Sequence, residues 1–270
     1  MAISDVSLTS GMRSNLISLQ NTVNLLNRTQ DRLASGKKVN TALDNPISFF
    51  AAQSLTQRAS DLSGLKDNMG QAIQTIQAAN TGISGITALV EAAKGLANTA
   101  LATADTTSRA SYATQFDTIR TQITQLAADA GYQGTNLLNN QSLTVNFNAD
   151  GSSSLAISGT AANAGLTITA AAASWAGDAN IQAAVTELTT ASTTLRDTSA
   201  NLSANLSVVN VRKDFTTQMV NALTTGADNL TLADMNEEGA NMLMLQTRQS
   251  LGITALSLSS QAAQSILKLF

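Results

Sequence analysis

DLSGLKDNMGQAIQTIQAANTGISGITALVEAAKGLANTA, residues 61–100, is the stretch whose reading decides the fold. Leu62, Leu65, Met69, Ala72, Ile76, Ala79, Ile83, Ile86, Val90, Ala93, Ala97 and Ala100 alternate strictly at spacings of three and four, and every one is apolar. In a chain that is 43% hydrophobic, such a run arises by chance roughly once in twenty-five thousand trials. The rhythm is that of a helix with one continuous apolar seam. Extended to the nearest punctuation it covers about 46–104, a rod of roughly 90 Å at about 1.5 Å per residue. Gly64, Gly70, Gly82, Gly85 and Gly95 each weaken an exposed helix by about 1 kcal/mol relative to alanine. The rod therefore needs neighbours, and the glycines also permit close ones. Leu62, Met69, Ile76, Ile83 and Val90 are the expected rod core.

The flanking sequence supplies those neighbours. Tyr112, Phe116, Ile119, Ile123, Leu126 and Ala130 mark a helix over 107–130. Ile181, Val185, Leu188, Leu195, Leu202, Leu206 and Val209 mark another over 178–224, and Val211, Phe215, Met219 and Ala222 continue its stripe with a small phase shift. Between them the period falls to two. Leu143, Val145 and Phe147 alternate, Asp150-Gly151 turns, and Leu155 and Ile157 alternate back, which reads as a β-hairpin over 143–157. Leu166 and Ile168 suggest a further short strand. The Ala-, Gly- and Thr-rich residues 158–178 read as irregular, with Trp175 the one bulky anchor.

Both ends of the chain carry helical seams. In residues 5–34, Met12, Leu16, Leu19, Val23, Leu26, Gln30 and Leu33 follow a 4-3 rhythm that only Gln30 breaks. In residues 230–270, Met242, Leu245, Ile253, Leu256, Ala263, Leu267 and Phe270 recur at three, four or seven, with a gap of eight between Leu245 and Ile253. A helix apolar to its last residue needs a partner, and the N-terminal helix offers one. We read the two as an antiparallel pair, buried in turn by other copies of the chain. Met12, Leu16, Leu19, Val23, Leu26, Leu33, Met242, Leu245, Ile253, Leu256, Leu267 and Phe270 are its expected self-assembly residues. Gly36 beside Lys37 and Lys38 suits a helix end. Asp44 or Asn45 with Pro46 suits a helix start. Gly226 through Asn229 mirrors that break, with Asp228 or Asn229 as the cap of the last helix. The expected organisation is a terminal domain of 1–40 with 230–270 and a rod domain of 41–229. The fold class is mainly α, a long antiparallel helical bundle or coiled coil with a small β-hairpin region at mid-chain.

Composition narrows the function. Of 270 residues 12% are charged and the net charge is −3, so phosphate tracking by a basic surface, and with it nucleic acid, is a poor fit. The chain has no cysteine and no histidine, which removes disulfides, thiolate sites, the usual triads and most zinc sites. No catalytic, cofactor or metal residues are assigned. Glu91, Asp117, Glu187, Glu237 and Glu238 are the carboxylates an enzyme would recruit, but each falls on a helical polar face. No apolar run is long enough for a membrane span, and the start of the chain lacks the pattern of a conventional signal peptide.

Leu33-Ala-Ser-Gly-Lys-Lys-Val-Asn-Thr-Ala-Leu-Asp-Asn45 resembles the N-terminal signature of the bacterial flagellins. Leu232-Ala-Asp-Met-Asn-Glu-Glu238 and Gln264-Ser-Ile-Leu-Lys-Leu-Phe270 resemble their C-terminal signature. The short length and Asn45-Pro-Ile-Ser-Phe-Phe-Ala-Ala52 are similar to the short alphaproteobacterial type without outer variable domains. The resemblance implies a structural subunit that self-assembles into the flagellar filament for motility, exported unfolded through the flagellar type III apparatus and residing in the extracellular filament. It implies other flagellin copies as partners, together with an export chaperone, the filament cap and hook-junction proteins, and no cofactor. The nearest rivals are a hook–filament junction protein and a type III secretion translocator. Many flagellins carry an arginine-rich rod patch read by an animal innate receptor. Ala88 and Ala92 stand where Arg and Leu are expected, which implies weak or absent receptor activation.

Overall fold

The computed structural model describes residues 10–162 and 166–267, the side chains of Ile266 and Leu267 excepted. Residues 5–9 of the expected first helix, and the assembly side chains assigned to Leu267 and Phe270, lie outside that range. Element order is α1 (Ser10–Ser35), α2 (Pro46–Ala102), α3 (Thr106–Asp129), β1 (Leu143–Asn146), β2 (Ser154–Ile157), a short 3₁₀ turn (Ala172–Trp175), α4 (Asp178–Thr231) and α5 (Met235–Leu267). The chain forms two compact units. One comprises the residues up to Gln57 and from Ala222 onward; the other is Arg58–Asn221. The division thus falls inside α2 and α4 rather than at residues 40 and 230.

The Arg58–Asn221 unit is built on the seam of α2. From Met69 through Ala100 every residue of the alternation is buried, while Leu62 and Leu65 are half-exposed. Phe116, Ile123 and Ala127 of α3 pack on it, as do Ile181, Leu188, Leu195, Leu202 and Val209 of α4. Two of the five rod glycines are close-approach points. A Cβ at Gly82 would lie 2.5 Å from the Ala130 Cβ, and one at Gly85 would lie 2.8 Å from Leu126 Cδ2. Gly64, Gly70 and Gly95 meet nothing within 4 Å. α3 starts where Asp105 accepts from the Ser108 N–H at 2.8 Å, a side-chain cap. Those hydrogen bonds from Ser108 hold the Asp105 carboxyl below the usual carboxylate range.

The hairpin expected over 143–157 forms, with Leu143 opposite Ile157 and Val145 opposite Leu155. Val145 and Ile157 point into the core. Gly151 takes φ +72° at the turn, where a side chain would be strained. Asp150 accepts from the backbone N–H and the hydroxyl of Ser152, and these bonds keep its carboxyl low. The strand expected at Leu166 and Ile168 does not form: Leu166 is buried, but no strand includes it. Trp175 is fully buried against Phe116, with ring centroids 4.9 Å apart.

Two boundaries and one phase differ from the sequence reading. α4 does not stop at Gly226 but runs to Thr231, because Gly226 is a packing position: a Cβ there would lie 3.4 Å from Leu55 of α2. The cap of α5 is therefore not Asp228 or Asn229. Asp234 does it, accepting from the N–H groups of Asn236 and Glu237. The phase difference concerns the end of α4. Its seam does not shift to Val211 and Phe215, which are exposed. It keeps its period through Val209, half-buried Lys213, buried Thr216, half-buried Val220, and then Leu223 and Ala227. The Thr216 hydroxyl donates to the Arg212 carbonyl at 2.8 Å, which lets a polar residue fill an apolar slot.

Candidate assembly interface

The terminal unit is organised by α1 and α5. Leu19 faces Gly252, Arg32 bonds Glu238, and Lys37 bridges Leu232 in antiparallel sense. These contacts fix the two helices as an antiparallel pair, as the two seams implied. Met12 and Leu26 of α1 and Leu245 of α5 are buried; Leu16, Leu19, Val23, Leu33, Met242 and Leu256 are half-buried. These residues face the partner helix of their own chain. Thr29, not Gln30, occupies the slot where the α1 rhythm falters.

Ile253 is placed differently from the other stripe residues: it is 53% exposed. Its gap of eight residues from Leu245 amounts to about 800° at 100° per residue, or some 80° off the seam. The inner face of α5 instead runs Glu238, Met242, Leu245, Gln249, Gly252, Leu256, Ser259 and Ala263, at alternating four and three. Polar Gln249 and side-chain-free Gly252 hide that seam in the sequence. Gly252 is there for a reason of space, since a Cβ would lie 2.9 Å from Leu19 Cδ1.

The seam is consequently small or polar at Gln249, Gly252, Ser259 and Ala263, while Leu243, Met244, Leu251, Ile253 and Leu258 lie outside it. Met244, Leu251 and Leu258 follow one another at sevens and are all exposed, with Leu243 and Ile253 beside them. Ala240, Leu243, Met244, Thr247, Arg248 and Leu251 line an open depression of about 510 Å³. An amphipathic surface helix puts its apolar stripe toward its own core; α5 does the reverse over this stretch. An exposed heptad stripe is the signature of a further helix partner.

The spokes that lead into this pair are braced. Gly36 takes φ +69° after α1. Lys38 N–H and Val39 N–H both donate to the Thr231 carbonyl, and Ala233 N–H donates to Gly36. Arg32 Nη1 donates to Glu238 Oε1 at 2.8 Å, with both side chains largely buried, so removing either partner strands a charge. Asp44 accepts from the backbone of Thr41 and Asn40, and those bonds, aided by Arg28, hold its carboxyl low. Asn45, rather than Asp44, caps α2, accepting from Ser48 N–H at 3.1 Å.

The carboxylates an enzyme would recruit are scattered. Asp117 accepts from the Ala171 N–H and pairs with Arg120. Glu187 accepts from Thr169. Glu238 is tied to Arg32, while Glu91 and Glu237 face solvent. Among the described residues no three His, Cys, Asp or Glu side chains gather to hold a metal, and no helix is long and apolar enough to cross a membrane.

Residues 3–143 match the family model of the bacterial flagellin N-terminal helical region. The chain belongs to the flagellin family. Flagellin FljM of Caulobacter vibrioides is 30% identical over 276 residues, covering 100% of both chains. A flagellin of Brucella melitensis is 27% identical over 268 residues, covering 94% of this chain and 95% of that one. The crystal structure of Bacillus cereus flagellin shares the fold, with a TM-score of 0.50 at 15% identity, over 55% of this chain and 88% of that one. This flagellin is therefore of the short alphaproteobacterial kind, a structural subunit of the flagellar filament, and the junction and translocator readings are not favoured. The outward apolar face of α5 consists of Leu243, Met244, Leu251, Ile253 and Leu258. Sequence periodicity missed that face because its residues break the seam rhythm; their exposure once the seam is traced through Gln249 and Gly252 identifies them.

Proposed function

We propose that copies of this chain polymerise chiefly through the outer face of α5, with the α1–α5 pair acting as the unit that docks. The observation that carries this is the exposed stripe of Met244, Leu251 and Leu258 on a helix whose inner seam is already occupied by α1. Burying apolar surface contributes about 25 cal/mol per Å² before ordering costs. A head-to-tail contact of unlike patches does not close on itself and gives a helical filament. The seam residues Met12, Leu16, Leu19, Val23, Leu26, Leu33, Met242, Leu245 and Leu256 then serve assembly indirectly, by shaping the pair. Ile253 belongs to the outward set. Before assembly this face is a liability, which supports a guarding export chaperone and passage in unfolded form through the flagellar type III apparatus to an extracellular filament. The filament cap and hook-junction proteins are the other expected partners. Ala88 and Ala92 lie exposed on α2, and weak innate-receptor activation is expected of a rod surface without the arginine there.

Seeded polymerisation of purified protein tests the reading. Met244→Ser with Leu251→Ser should leave helical circular dichroism unchanged, since both sites are exposed, and raise the critical concentration at least tenfold. Removal of residues 257–270 should abolish filaments while the Arg58–Asn221 unit stays helical. Normal filaments from both variants would sink the proposal.

A further inference from the structure

Leu43, Ile47 and Phe50 are the most conspicuous side chains that the self-association reading leaves unused. They are 96%, 84% and 59% exposed, at spacings of four and three where the spoke enters α2. They are not loose. Asn45 caps the helix and Asp44 holds the loop before it through Asn40 and Thr41. The second spoke lies alongside: Thr231 accepts from Lys38 and Val39, and Gly226 faces Leu55. That antiparallel course brings Leu230, Leu232 and Met235, all exposed, to the same level of the terminal unit. A protein that worked as a monomer would not hold so many large apolar groups in water on a rigid frame.

A head-to-tail contact needs a different patch to receive this one. In the Arg58–Asn221 unit the exposed large hydrophobics among the described residues are Val208, Val211 and Phe215. They form one strip on α4, at spacings of three and four. A groove of about 240 Å³ beside it is walled by Leu62, Phe147, Phe215 and Met219, room for about one aromatic side chain. Charge agrees with shape. Arg58 and Arg212 line the groove, and among the described residues neither has a carboxylate within ion-pairing distance; Arg212 lies over the Phe147 ring, 5.0 Å from its centroid. The segment carrying Leu230, Leu232 and Met235 offers Asp228 and exposed Glu237, Glu238 being tied to Arg32 and Asp234 capping α5, while Lys37 and Lys38 lie beside it on the first spoke.

We infer that the spoke patch of one copy seats on the α4 strip of a second copy, a subunit contact separate from the α5 face. Leu43, Ile47 and Phe50 supply the apolar knob, and Asp228 and Glu237 meet Arg58 and Arg212. The inference rests on the polymerisation reading above. It makes the spokes an interface in their own right, not merely connectors between two units.

The test uses full-length protein, a photo-crosslinking phenylalanine analogue at position 50, and filament seeds. Irradiated filaments should give dimer-sized adducts whose cross-linked peptide carries residues 208–219 of a second copy. Separately, Arg58→Glu should raise the critical concentration about tenfold or more, the scale of one lost apolar or charged contact. Adding Glu237→Arg to Arg58→Glu should recover most of that loss, whereas Glu237→Arg alone should weaken assembly. Because all these side chains are exposed, monomer circular dichroism should not move. Filaments whose Phe50 adducts map elsewhere or are absent, or in which Arg58→Glu assembles at the parental concentration, would overturn the contact while leaving polymerisation intact. Failure of the unsubstituted protein to extend any seed would instead refute polymerisation itself.

Discussion

Phe215 and Thr216 provide the sharpest test of how α4 is phased, because sequence pattern and structure assign them opposite roles. By apolar continuation Phe215 belongs to the core, and truncating a core phenylalanine costs about 3–5 kcal/mol. In the structure Phe215 is exposed and Thr216 is 3% exposed. Phe215→Ser should therefore change stability by no more than about 0.5 kcal/mol, as surface substitutions do. Thr216→Lys places a further cation beside Arg58 and Arg212, in a groove whose lining holds no carboxylate to receive it. An uncompensated buried charge is destabilising by about 3–5 kcal/mol. At roughly 2–4 °C per kcal/mol for a chain of this size, that is a fall in melting temperature on the order of 6–20 °C. Thr216→Val is the control. It keeps the shape and removes a hydroxyl that bonds only the Arg212 carbonyl, so its effect should stay within about 1 kcal/mol. The assay is thermal unfolding of monomer followed by far-UV circular dichroism. A large loss from Phe215→Ser together with a silent Thr216→Lys would refute the phasing, and with it the exposed strip on which the second subunit contact depends.

Three further outcomes follow from particular geometries. Ala173, Ser174 and Trp175 hold φ of 48°, 48° and 59°, a left-handed run that disfavours side chains by about 1–2 kcal/mol per residue; Ser174→Gly should raise the unfolding midpoint read by the fluorescence of Trp175, the one tryptophan, and a lower midpoint would contradict the assignment. Gly252→Leu should force α5 from α1 and speed amide exchange along α1, and Leu19→Ala in the same chain should restore protection, because Leu19 Cδ1 is the atom in the way; no rescue would mean the helices do not meet there. The third concerns acid: Asp105 and Asp44 have folded-state pKa values below the usual 3.8, through hydrogen bonds from Ser108 and from Thr41 respectively. A depressed carboxylate contributes stability that is present above its unfolded pKa and lost as pH falls through its folded value, so both contributions should persist at neutral pH and disappear only below about pH 4. Asp105→Asn, which can still cap, should flatten its share of that acid limb, as side-chain NMR titration and acid unfolding would report.

Much of this fold was legible in the chain because helix seams follow a fixed period. The alternation from Met69 to Ala100 needed no tertiary information: each residue in it is apolar and each is buried, and the existence of the hairpin follows from side-chain alternation on either side of Asp150-Gly151. Membership of the flagellins was likewise readable at the two chain ends. What pattern alone could not decide was which residues occupy the seam once apolar residues drop out of phase. At Gln249 and Gly252 in α5, at Lys213 and Thr216 in α4, and at Thr29 in α1, the helix keeps its period and accepts small or polar residues on the inside.

Out-of-phase Ile253, Val211 and Phe215 stay outside because a rigid helix of 3.6 residues per turn cannot rotate locally to bury them. The sequence by itself therefore determined the long helices and the hairpin, their period and the family. Only the tertiary structure decided phase, since phase depends on partner helices far away in the chain: Leu19 against Gly252, Leu55 against Gly226. Those partners fix which apolar residues are core and which remain on the surface, available to another copy.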